Sequence, residues 1–69
     1  MNRNDIHSYI RALIDSSQEF TITSLYDEVK KKFGNVPATY VINVVEELLE
    51  SGELSFDSGR YFKSKLLLE

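Results

Sequence analysis

Few side chains among these 69 residues are spaced for bond chemistry. Glu46 and Glu47 come nearest to a carboxylate pair for general acid–base work. Adjacent positions on a helix project about 100° apart, so the two cannot flank one substrate, and they read as solvated surface. His7 is the single histidine and cysteine is absent, so the chain offers no pair of nitrogen or sulfur ligands at zinc spacing. Ser16, Ser17 and Ser51 have no base placed beside them by any motif. The three glycines are isolated rather than gathered into a phosphate-cradling loop. No enzymatic activity, metal, cofactor or small-molecule substrate is expected. Charge and hydrogen bonding remain as the chemistry on offer. Lys30-Lys31-Lys32 form the one cationic run, and they also suit the negative end of a helix dipole. Tyr9, Tyr26, Tyr40 and Tyr61 could stack on bases, but their helical or strand spacing suits the rim of a core.

The distribution of charge narrows the class of partner. Net charge is -3. In residues 1–34, Arg3, Arg11, Lys30, Lys31 and Lys32 are balanced by Asp5, Asp15, Glu19, Asp27 and Glu28. In residues 35–69, Arg60, Lys63 and Lys65 are outnumbered by Glu46, Glu47, Glu50, Glu53, Asp57 and Glu69. The excess acid therefore sits in the second half. No run approaches the roughly 20 apolar residues of a membrane span, and Met1 to Asp5 lead into no apolar signal core, so a cytoplasmic location and no membrane partner are expected. Leu68-Glu69 matches what a common expression vector leaves before a histidine tag, so these two residues are expected to be foreign.

These side chains must be positioned by a small core without disulfides, in a single domain over residues 1–69 that buries about 60% of its unfolded surface. Ile6, Tyr9, Ile10, Leu13 and Ile14 fall on one stripe of a 3.6-residue period and predict a first helix from Asp5 to Ser17, capped by Asn4 or Asp5. Phe20-Thr21-Ile22 predicts a short strand. Thr23 is the expected cap of a second helix over 24–33, whose face is Leu25, Tyr26, Val29 and Phe33 and whose end is Gly34. Pro37 suits the first position of a third helix over about 37–51. There Val41, Val44, Val45, Leu48 and Leu49 form an apolar stripe up to Gly52. Residues 53–56 and 60–63 alternate with period two around Asp57-Ser58-Gly59, which predicts a hairpin with a three-residue loop and a bulge at Gly59. In that register Leu54 faces Phe62, and Ser55 faces Tyr61.

The resulting order, α-β-α-α-β-β, is an α+β arrangement of three core helices with a small antiparallel sheet. Over nearly the whole chain it resembles the winged helix-turn-helix superfamily. The matching residues are Phe20-Thr21-Ile22-Thr23-Ser24-Leu25, then Gly34-Asn35-Val36-Pro37-Ala38-Thr39, then Val41, Val44, Val45, Leu48, Gly52 and Leu54. The resemblance implies a small DNA-binding transcription regulator whose partner is double-stranded DNA. Helix 3 would enter the major groove, and a short wing over about 53–64 would lie on the backbone or minor groove. It places Ala38, Thr39, Tyr40, Ile42, Asn43, Glu46 and Glu47 on the outer face of helix 3. Asn43 would read adenine, while Thr39 and Tyr40 would reach phosphates or a thymine methyl. Lys30, Lys31, Lys32, Arg60 and Lys63 would contact phosphates.

The chain departs from that pattern in one respect: the outer face of helix 3 has no Arg or Lys and carries Glu46, Glu47 and Glu50. A second expectation therefore stands beside the first, a winged-helix protein-interaction module without DNA binding. Its interface would use Tyr40 and Ile42, with Leu66 and Leu67 from the apolar tail, against a protein partner or a second copy in a homodimer.

Overall fold

The structure is a computed structural model and describes residues 3–64. Its elements follow the expected order: α1 (Arg3–Ser16), β1 (Glu19–Phe20), α2 (Ile22–Phe33), α3 (Ala38–Ser51), β2 (Leu54–Asp57) and β3 (Arg60–Lys63). The molecule is a small α+β domain of three helices and a three-stranded antiparallel sheet in the order β1-β3-β2. Among the described residues no helix is long and apolar enough to cross a membrane.

Each helix buries the stripe that its periodicity marks. Ile6, Ile10 and Ile14 of α1 meet Leu25 and Val29 of α2 and Val41, Val44, Val45 and Leu48 of α3. Phe20, Val36 and Leu54 close the core, and Tyr9, Leu13, Tyr26, Phe33, Leu49 and Tyr61 pack at its rim. Burial of this kind is what holds the β-branched Val41, Val44 and Val45 helical despite their modest propensity. No polar side chain is buried among the described residues, so the fold carries no desolvated charge to compensate.

Three local readings are corrected. α1 starts two residues early, at Arg3, which puts Asn4 and Asp5 inside its first turn. The segment Phe20-Thr21-Ile22 is not a strand: β1 is Glu19–Phe20, Thr21 caps α2, and Ile22 is already helical. Thr21 rather than Thr23 does the capping because Ser24 completes a reciprocal box with it. The Thr21 Oγ1 accepts from the Ser24 amide at 3.0 Å, and the Ser24 Oγ accepts from the Thr21 amide at 3.0 Å. Pro37 is the residue before α3 rather than its first residue, and its carbonyl accepts from the Tyr40 amide at 3.1 Å.

The hairpin register is the fourth correction. Leu54 pairs with Lys63, Ser55 with Phe62, Phe56 with Tyr61 and Asp57 with Arg60. The loop is thus the two residues Ser58 and Gly59, both at positive φ (54° and 79°), as a type I′ turn requires. A one-residue slip moves every side chain to the other face. It takes Phe62 away from Leu54 and sets Tyr61 between Phe20, at 5.6 Å between ring centroids, and Phe56, at 4.6 Å. Aromatic cross-strand pairs of this sort are the register's own stabilisation.

Candidate nucleic-acid interface

α3 is positioned from both ends. Gly34 ends α2, donating its amide to the Lys30 carbonyl at 2.8 Å. The Tyr26 hydroxyl then donates to the Val36 carbonyl at 2.8 Å, fixing the connection into α3. At the far end Gly52 takes the left-handed conformation (φ 89°) and turns the chain into β2. Between them Val41, Val44, Val45 and Leu48 face inward, so helical geometry sends Thr39, Asn43, Glu46 and Glu50 outward as one stripe. All four are exposed.

The structure brings Thr39, Tyr40 and Asn43 together on the first two turns of α3. Tyr40 is half-buried, its ring packed on the core and covered by the guanidinium of Arg3 at 5.3 Å from the ring centroid. Ile42 is half-buried on the opposite flank. Leu66 and Leu67 lie outside the described residues.

The proposed phosphate contacts do not form one patch. Lys30 lies over the Tyr26 ring at 5.7 Å, Lys32 over Tyr9 at 5.5 Å, and Lys31 pairs with Glu28 at 3.6 Å. Arg60 pairs with Glu19 at 2.6 Å across the β3–β1 edge, and Lys63 donates to the Asp15 carbonyl near the end of α1. Arg60 and Lys63 also point to opposite faces of the sheet, being three residues apart on one strand. Glu28 and Glu19 are exposed, where ion pairs contribute about 0–1 kcal/mol, and the cation–π contacts of the exposed Lys30 and Lys32 contribute about 0.5–1 kcal/mol. A phosphate can displace any of them.

The acids of α3 divide into two groups. Glu47 is turned towards α1, 3.8 Å from His7 Nε2, and Glu53 just beyond α3 pairs with Arg11 at 3.3 Å. Glu46 and Glu50 remain on the outward stripe. No cluster of three metal-ligating side chains occurs among the described residues.

Sequence reasoning missed one participant. Arg3, His7 and Arg11 fall at i, i+4 and i+8 of α1; Arg3 and His7 meet Tyr40 and Glu47 of α3, and Arg11 meets Glu53 just beyond it. The spacing was visible in the sequence, but which helix the stripe would face was not. Between the two helices runs an open groove of about 220 Å³, with Arg3 and His7 on one wall, Tyr40, Asn43 and Glu47 on the other, and Ile6, Ile10 and Val44 as its floor.

Comparison with known proteins gives no matching family model, no similar curated protein and no similar solved structure.

Proposed function

We propose that this chain is a small duplex-DNA-binding regulator of winged-helix type, with α3 as its recognition helix and the β2–β3 hairpin as a short wing. The supporting observation is the outward exposure of Thr39 and Asn43 on the first two turns of α3, opposite the buried valines. Only the leading half of a recognition helix normally enters the groove. In that pose the Asn43 amide meets the paired acceptor and donor of an adenine edge, and Thr39 reaches a phosphate or thymine methyl. Glu46 and Glu50 come later in the helix. At about 1.5 Å per residue they lie roughly 10 Å and 16 Å beyond Thr39, towards the mouth of the groove. Lys30, Lys31, Lys32 and Lys63 supply phosphate contacts, and Arg60 a backbone or minor-groove contact once it leaves Glu19.

The variant Asn43→Ala tests this assignment. Asn43 is exposed, so the thermal unfolding midpoint should stay in place. Discrimination in favour of an adenine-containing site should fall by about 1–3 kcal/mol, read by fluorescence anisotropy on matched and mismatched duplexes. Equal discrimination by the variant and the parent would remove Asn43 from the reading role.

A second reading is favoured by one observation: the trailing half of α3 presents Glu46 and Glu50 beside half-buried Ile42, and the hairpin carries Phe56 at 55% exposure. Acid next to apolar surface fits a basic, partly apolar protein partner better than a phosphate backbone. Under this reading the chain ignores duplex DNA even at low salt, and Ile42→Asp abolishes binding of its protein partner.

A further inference from the structure

We infer that α1 supplies the cation that α3 lacks: Arg3, held against the face of Tyr40, binds a phosphodiester oxygen on the strand flanking the base read by Asn43. This rests on the DNA-binding reading above and adds a contact that the resemblance to winged helices does not assign. α3 contains no Lys or Arg, so any positive charge beside Asn43 must come from a neighbouring element. Arg3 is exposed and lies 5.3 Å from the Tyr40 ring centroid. Tyr40 and Asn43 are three residues apart on α3, neighbours on one helix surface, and both line the α1–α3 groove with Arg3.

The chemistry of the contact matters. A guanidinium held over a ring by cation–π attraction makes no hydrogen bond to it, so its N–H donors remain available, and their planar fork matches two phosphate oxygens. The ring also limits the rotamers that Arg3 must give up on binding, which a free lysine on the surface would not share. None of the other cations assigned to phosphates lines the groove that Arg3 shares with Asn43. Glu47, the acid in the same groove, sits seven residues along from Tyr40, with a carboxylate oxygen 3.8 Å from His7 Nε2. It therefore lies about 10 Å further along the helix axis.

Arg3 could instead serve only to fasten α1 to α3, and the test separates these roles. Affinity for a duplex of mixed sequence is measured for the parent chain, Arg3→Ala and Arg3→Lys across salt from about 50 to 200 mM, with thermal unfolding followed in parallel. For Arg3→Ala the plot of log affinity against log salt should become shallower by about one unit. Arg3→Lys should keep the parent's slope with weaker binding, because it retains the charge and loses the planar edge. An unchanged slope in Arg3→Ala overturns the inference while leaving DNA binding intact. So does an affinity loss equal at every salt concentration and accompanied by a lower unfolding midpoint. If the parent chain shows no salt-sensitive binding at all, both the inference and the DNA-binding reading fall.

Discussion

Thr21 and Thr23 are the same residue type two positions apart, yet only one holds a helix end. Thr21 has a partner in Ser24, and each accepts a hydrogen bond from the other's amide. Thr23 is exposed and lies inside the first turn of α2. Thr21→Ala should therefore lower stability by about 1 kcal/mol, which in a domain of this size moves the thermal midpoint by roughly 4–8 °C. Thr23→Ala should be close to neutral. Urea titration of the two variants side by side decides the matter, and an equal loss in both would contradict the assignment. The sequence held this information in an uncommon form. A capping box is usually read from Glu or Gln at its third position, and here Ser fills that place. The core residues were easier to find, because Ile6, Ile10, Ile14 and Val41, Val44, Val45, Leu48 repeat at helical spacing and burial follows directly from that repeat.

At the scale of elements, the hairpin separates what alternation can specify from what it cannot. Period-two patterning located both strands, and Gly59 pointed to a three-residue loop, although a left-handed Gly suits a two-residue loop as well. Tertiary packing chose between them. The two-residue loop puts Phe20, Tyr61 and Phe56 in line across the three strands, at the cost of positive φ at Ser58. That cost is open to engineering. Ser58→Asn, a residue that tolerates the left-handed region, should stabilise the domain by roughly 0.5 kcal/mol. Gly59→Ala should destabilise it by about 1 kcal/mol, from the backbone conformation alone, since nothing lies within 4 Å of where a Cβ would stand. Calorimetric midpoints moving in opposite directions would support the two-residue turn. A Ser58→Asn variant less stable than the parent would contradict it. The facing of α1 along α3 has the same character. The i, i+4, i+8 spacing of Arg3, His7 and Arg11 defines a stripe, but the helix it meets depends on contacts made roughly 37 to 42 positions away in the chain.

At the scale of the whole molecule, the proposed DNA-binding reading has a chain of net charge -3 approach a polyanion. That reading requires charge to be segregated. Glu47 and Glu53 turn towards α1, the lysines gather at the end of α2, and the first turns of α3 stay neutral beside Arg3. Under the proposed function a few released counterions would set the affinity, and that term depends steeply on salt. The most direct test is titration of the chain into a labelled duplex at about 50 mM and 200 mM salt, since even sequence-independent binding follows this dependence. With three to five phosphates neutralised, affinity should fall on the order of 40- to 500-fold between the two conditions. Absence of binding at about 50 mM salt up to millimolar protein, or binding indifferent to salt, would contradict the account.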